Sequence, residues 1–256
     1  MLILGGVEHR KSHQLEKMQT CLSSLRRHNP TAKIVIFNRS PKDEALAALL
    51  LKYWAQSVDV TAWDVAEWGP LTSRMLYYDR WVHTQDISEP ILMIDLFDVV
   101  AQGNLDTLFV GDKLVVAQEN KLLGECPYNA TWLRESFGIG TTEPMLAQSV
   151  ICCGVMAGKV PAVQAYCRWF VRMLETQTRT KWPLDQSALN IYVYRVGADV
   201  ELLPYRNTQM MHVGYADPET LTWTGTAGTV SQMEPLLLHQ YNRHRPLLKA
   251  IRGYYA

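Results

Sequence analysis

The sequence lacks most of the signatures that would assign it at once. Its five cysteines, Cys21, Cys126, Cys152, Cys153 and Cys167, include no C-x-x-C pair. A structural zinc site or thioredoxin-like site is therefore not expected, and reduced, buried thiols are. There is no G-x-G-x-x-G and no Gly-rich phosphate loop, so neither a dinucleotide fingerprint nor a P-loop is present. Net charge is zero, with 25 basic and 25 acidic residues. Nucleic acid is thus not expected as a partner, because phosphate binding calls for a basic surface. No apolar run approaches the roughly 20 residues of a membrane helix. The apolar part of MLILGGVEHRKS is too short for a signal peptide and reads as a first strand, so a cytoplasmic location is expected. Sequons at Asn38 and Asn129 carry weight only in a secreted chain. No internal repeat, low-complexity tract or linker interrupts the chain.

What is present is a core and an alternation. Of 256 residues 48% are hydrophobic, enough to bury a sizeable interior. Leu2–Leu4 reads as a strand ending at Gly5-Gly6. Leu15, Met18, Leu22 and Leu25 share one helical face, broken by Asn29-Pro30. Strands are expected at Lys33–Phe37, Val58–Trp63 and Ile91–Ile94, and helices at Pro41–Ala55 and Leu71–Thr84. This alternation builds a mainly parallel sheet covered on both faces. The second half is less regular. It carries strands at Lys113–Gln118, Ser149–Met156 and Pro235–Leu238, and helices at Pro161–Glu175 and Asp185–Val196. The whole reads as one continuous α/β domain, with a Rossmann-like first half and a mixed second half.

One segment concentrates the chemistry: PILMIDLFDVVAQGNLDTLF. The apolar run Ile91–Ile94 stops at Asp95, and Asp98 follows three residues later. In open α/β sheets ligands bind beyond the carboxyl ends of the strands. Two carboxylates set there across a bend repel one another unless a cation lies between them. A hard divalent ion, Mg²⁺ or Mn²⁺, suits such oxygen ligands and keeps positions open for phosphates. The competing reading is helix capping, with Asp98 facing solvent and Asp106 capping locally.

Several segments, taken in order, resemble nucleotide-sugar glycosyltransferases of the GT-A fold. IDLFDVVAQGNLDTLF resembles the D-x-x-D variant of their metal-binding motif. Similar stretches occur in virus- and microbe-encoded glycosyltransferase-like proteins and in the glycosyltransferase domain of procollagen lysyl hydroxylases. LTSRMLYYDRWV resembles the preceding helix, whose basic residue faces the donor; Arg74 is the match. LVVAQENKLLGECPYNATWLRESFG resembles a strand ending in an acid, then Tyr-Asn…Trp and a Gly. VICCGVMAGK resembles the strand and turn lining the sugar pocket, PLDQSALN the D-Q of an acceptor-side helix, and LLLHQYNRH the strand whose His ligates the metal. Two departures stand out: Cys152-Cys153 replace the usual Asn-Ser, and Gln240 follows the His where lysyl hydroxylases have Gly.

The resemblance implies a GT-A-like, Rossmann-type mixed sheet flanked by helices on both faces in a single domain. Residues 1–110 would form the nucleotide-binding half and 111–256 the sugar and acceptor half. It implies transfer of a hexose or pentose from a nucleoside-diphosphate sugar, foremost a UDP-sugar, to a hydroxyl on a glycan, protein or lipid. Asp95, Asp98 and His239 would hold the metal, and this carboxylate–imidazole set suits Mn²⁺ better than Mg²⁺. Gly5, Gly6 and Val7 would lie near the base. Arg74, Gly154, Asn242 and Arg243 would contact the donor, Arg243 by a forked grip on its phosphates. Asp185 and Gln186 are the catalytic candidates: Asp185 would act as base in an inverting enzyme or hold donor-sugar hydroxyls in a retaining one. Glu119 and Glu135 are rival bases.

Plainer readings stand beside these. Gly5-Gly6, and Gly154 with Gly158, also suit simple turns. Asp185 suits an N-cap, and Arg243, Arg245, Lys249 and Arg252 a solvated basic tail. Trp63, Trp68, Trp132, Trp182 and Trp223 are candidates for an acceptor groove, and Trp169 for the core. The rival functions are a non-catalytic glycan- or protein-binding domain and a Mg-dependent nucleotidyltransferase.

Overall fold

The computed structural model describes residues 1–8, 11–63, 68–108, 110–177, 184–197 and 199–255; Trp182 lies outside them. The chain opens with parallel strand–helix units: β1 (Leu2–Val7), α1 (Ser12–His28), β2 (Lys33–Asn38), α2 (Glu44–Lys52), β3 (Gln56–Asp59), α3 (Pro70–Val82) and β4 (Ile91–Ile94). It continues through β5 (Val99–Ala101), β6 (Leu114–Leu122), α4 (Pro127–Phe137), α5 (Ile139–Thr142), β7 (Ser149–Gly158), α6 (Val160–Thr176) and α7 (Leu184–Tyr194). Then come β8 (Val200–Leu203), β9 (Met210–His212), β10 (Leu221–Trp223), β11 (Gly228–Val230), β12 (Leu237–His239) and α8 (Arg245–Tyr255). One mostly parallel sheet runs β3-β2-β1-β4-β7-β6-β9-β12-β5, with β8 also paired to β6. Strand β7 is antiparallel to both β4 and β6, and β5 is antiparallel to β12. This is the expected mixed α/β sheet, covered by helices on both faces within a single domain.

The two faces hold separate apolar clusters. One packs α3, α6 and α7 around Leu4, Phe37, Tyr78, Met156 and Phe170. The other packs α1 and α2 around Ile3, Leu22, Leu50, Leu92 and Val155. Successive strand residues alternate between these clusters, as a pleated strand buried on both sides requires. Trp169 lies against the first cluster, beside buried Tyr166 and Phe170.

Several boundaries differ from the sequence reading, each for a local reason. Helix α2 starts at Glu44 rather than Pro41, because the Asp43 side chain accepts from Leu46 N (2.9 Å) and is the cap. Strand β3 ends at Asp59, whose Oδ1 accepts from Thr61 N and Oγ1 and turns the chain. Gly5 and Gly6 are not a turn. They continue β1, paired to Ile36 and Phe37. A Cβ on Gly5 would lie 2.7 Å from Leu96 Cδ2, so close packing rather than backbone freedom explains this glycine. Gly154 likewise sits within β7, which runs on to Gly158. Strands β5 and β8–β11 and helices α4 and α5 were not expected. Nor was α8: the basic stretch after His244 buries Leu247, Ile251 and Tyr255 on one face.

Candidate active site

Strand β4 delivers Asp95 to the carboxyl edge of the sheet. Its backbone N–H donates to Gly154 O across the antiparallel β4–β7 pair (2.8 Å). The chain bends through Leu96 and Phe97, and Asp98 leads straight into β5. There the pairing sets Val99 opposite His239, which brings the imidazole beside the carboxylate preceding that strand. His239 Nε2 lies 3.2 Å from Asp98 Oδ1 and 3.6 Å from Asp95 Oδ2. Ligand atoms of the three residues all fall within 4.8 Å of one another. Neither aspartate caps a helix; the local cap is Asn104, which accepts from Asp106 N.

Gly154 makes room for this imidazole. A Cβ there would lie 2.5 Å from His239 Nε2 and 2.8 Å from Nδ1. We expect Gly154→Ala to push His239 off the two aspartates. Divalent-ion affinity should fall by about ten- to a hundredfold, and stability by about 1–3 kcal/mol. Isothermal titration with Mn²⁺ beside thermal melts checks both.

Arg74, on α3, ties the carboxylates together from beneath. Its guanidinium is buried and pairs with Asp95 and with Asp185 Oδ2 (2.8 Å), and donates to Cys153 O (3.2 Å). Burial alone would lower the Arg74 pKa, yet Asp95 and Asp185 drive it upward. Burial would raise the Asp95 carboxyl, but Arg74 and then His239 hold it down at about 2. Burial opposes a charge on His239, but Asp98 and Asp95 lift it to about 9. Arg74 and His239 thus offset part of the negative charge of Asp95, Asp98 and Asp185.

These groups open onto a cavity of about 610 Å³ lined by Asp95, Asp98, Gly154, Asp185, Gln186, His239 and Arg243 among others. Arg243 Cζ lies 5.3 Å from the Tyr215 ring centroid. Asn242 and Gly6 are half-buried and Gly5 and Val7 buried, and all four lie outside the lining. Asp185 is in the first turn of α7 rather than its cap, ion-paired to Arg74 and accepting from Gln186 N. The Gln186 amide is committed to β7: Oε1 accepts from Cys153 N (3.0 Å) and Nε2 donates to Ile151 O (3.0 Å). Of the tryptophans, Trp132 lines the cavity beside Tyr128. Trp63 and Trp68 pack on the first core cluster, and Trp223 packs on Tyr254.

Glu119, Gln240 and His212 also belong to the site. Glu119 lines the cavity while 4% exposed; its Oε1 accepts from Gln240 Nε2 (2.9 Å) and its Oε2 has no hydrogen-bond partner. Glu135 is exposed on α4, outside the lining. Gln240 takes a left-handed backbone (φ 65°) and also accepts from Gly214 N (3.0 Å). His212 was missed. Its signal was the twin pattern MMH and LLH: β9 and β12 pair in parallel with His212 opposite His239. All five cysteines are buried and free. Burial above all raises the Cys152 and Cys153 thiols. Cys152 lacks a histidine nearby in sequence but has one in space, His239.

No protein-family model and no curated protein sequence matches this chain. Solved structures share its fold. The apo structure of the bifunctional glycosyltransferase WbbM superposes with TM-score 0.63 at 14% identity, over 98% of this chain and 49% of that one. The chain therefore spans about half of that WbbM chain. The galactosyltransferase LgtC in complex with donor and acceptor sugar analogues gives TM-score 0.53 at 12% identity, over 84% of this chain and 77% of that one. An active-site mutant of LgtC gives 0.56 at 12% identity, over 93% and 86%. The fold is thus one that glycosyltransferases carry. Among the described residues no helix is long and apolar enough to cross a membrane.

Proposed function

We propose that this protein is a metal-dependent glycosyltransferase that moves a hexose or pentose from a nucleoside-diphosphate sugar, a UDP-sugar first among them, to a hydroxyl of a glycan, protein or lipid. The supporting observation is the convergence of Asp95, Asp98 and His239 on one edge of a cavity large enough for a sugar nucleotide. Two carboxylates and an imidazole fit Mn²⁺. The bound ion would neutralise the charge of the leaving diphosphate. Arg243, at the cavity wall, would grip the same charge with a forked donor. Tyr128 and Trp132 offer ring faces for an acceptor sugar.

Among the catalytic candidates, Asp185 pairs with Arg74 and Gln186 with the β7 backbone, bonds that favour a positioning role for both. Glu119 lines the cavity and keeps one buried carboxylate oxygen without a hydrogen-bond partner, which makes it the favoured group to take the acceptor's proton or orient its hydroxyl. Glu119→Gln preserves the bond from Gln240. It should lower kcat by on the order of 10²-fold with the donor KM unchanged, measured by initial rates.

The first test is a thermal-shift panel of nucleoside-diphosphate sugars with and without Mn²⁺. A ligand that binds only the folded state raises the melting temperature by mass action. Stabilisation by a sugar nucleotide only when Mn²⁺ is present supports the proposal. Absence of any shift in a folded sample overturns it.

A further inference from the structure

Behind the aspartates, on the sheet side of His239, lies a second donor cluster. His239 Nδ1 is 2.9 Å from His212 Nδ1 and 3.6 Å from Cys152 Sγ. The three ligand atoms lie within 4.8 Å of one another, and all three residues are buried. The fold fixes this meeting. Register sets β12 beside β9 at the two histidines, and β7 carries Cys152 two residues before Gly154, the glycine that admits the His239 ring. His212 is completely buried and its Nε2 has no hydrogen-bond partner. The one engaged nitrogen of that ring is the one turned on the cluster.

The spacing suits a tetrahedral ion. Bonds of about 2.0–2.1 Å to nitrogen and 2.3 Å to sulfur hold neighbouring ligand atoms roughly 3.3–3.6 Å apart. The Cys152 Sγ–His239 Nδ1 separation already fits, the two nitrogens need part by less than about half an ångström, and Cys152 Sγ lies within 4.8 Å of the His212 ligand atom. One thiolate and two imidazoles form a borderline-soft set, which selects zinc or a similar ion over Mn²⁺. Cys152 and His239 line the cavity, which gives the ion an entry path and the open fourth position a water.

We propose that Cys152, His212 and His239 form a thiophilic-cation site that shares His239 with the hard-ion site and excludes its occupant. A neutral imidazole has one lone pair. If Nε2 ligates a hard ion beside Asp95 and Asp98, the ring proton is on Nδ1 and donates to His212. If Nδ1 ligates the soft ion, the proton is on Nε2 and donates to Asp98. Both states are hydrogen-bonded, and a ring cannot serve both ions without losing that proton. The Cys152 proton and the Nδ1 proton of the charged His239 ring leave to solvent as the soft ion binds. A thiophilic ion would therefore inhibit this protein by competing with Mn²⁺. The exclusion rests on the reading of the Asp95–Asp98–His239 site given above; the soft site itself does not.

Co²⁺ is the probe, because a thiolate bound to it gives a near-ultraviolet charge-transfer band. We expect that band in the wild type at one equivalent, in Asp95→Asn and in Cys153→Ser. We expect it lost in Cys152→Ser and its midpoint weakened by about tenfold or more in His212→Ala, with melts confirming that each variant folds. Mn²⁺ should bleach the band in the wild type but not in Asp95→Asn. Absence of the band in the wild type, or its survival in Cys152→Ser, overturns the site. A wild-type band insensitive to Mn²⁺, in protein that Mn²⁺ primes for donor binding, overturns the exclusion alone. The same insensitivity in protein that binds no donor with Mn²⁺ counts against the hard-ion reading.

Discussion

Asp98→Asn should abolish metal-dependent donor binding and lower sugar transfer by on the order of 10³-fold, with the melting temperature almost unchanged. Asp98 is the better test than Asp95 because of what each touches. Asp95 is tied to Arg74 and through it to Asp185, so its loss disturbs a buried network. The Asp98 side chain faces His239, and its structural role is carried by its backbone oxygen, which accepts from Gln240 N (3.0 Å). The substitution keeps the shape and removes one negative charge from the ligand set. Without that charge the remaining carboxylate and imidazole hold a divalent ion poorly, and the diphosphate meets an uncompensated site. Calorimetric titration of donor with saturating Mn²⁺, beside a thermal melt, separates the two effects. Wild-type donor affinity in a folded Asp98→Asn protein would sink the proposed function.

Arg74→Met should be the most destabilising single change, costing about 3–5 kcal/mol, or roughly 10 °C of melting temperature for a chain of this size. The guanidinium is buried between two carboxylates, one of which, Asp185, is itself almost wholly inaccessible. Methionine fills the space but leaves Asp185 buried without its counter-ion, and that desolvated charge is the cost. The double variant Arg74→Met with Asp185→Asn removes the orphaned charge along with its partner. It should recover part of the loss, so the two substitutions are strongly non-additive. Equal destabilisation in single and double variants would show that the pair is not coupled. Mn²⁺ should stabilise Arg74→Met more than the wild type, because the ion then supplies the positive charge that Asp95 lacks.

Much of this was legible along the chain. Strand β4 was read as Ile91–Ile94, because four apolar residues ending at an acid leave little choice about where burial stops. Helix α1 followed from Met18, Leu22 and Leu25 at helical spacing and from the break at Asn29. Asp95, Asp98 and His239 stand out in the sequence by their place at element ends, and these and Arg74 by the resemblance. Short strands were less legible. β5, β9, β10 and β11 have only three residues each, too few for a period to declare itself. Their existence depends on one another through pairing. The glycines misled for the same reason: Gly5, Gly6 and Gly154 look like turn residues, but each is a strand position.

The sequence by itself determined which residues end buried strands, and hence that carboxylates and an imidazole would stand at strand ends of the sheet. Alternating burial and helical periodicity are local properties, written into neighbouring residues. Only the tertiary structure decided what those groups meet. That Arg74 lies beneath Asp95 and Asp185, that Gln186 is consumed by β7 while Glu119 keeps a free oxygen, and that His212 and Cys152 close on the far nitrogen of His239 all depend on strand register. Register brings together residues dozens of positions apart, through pairings that no local pattern encodes.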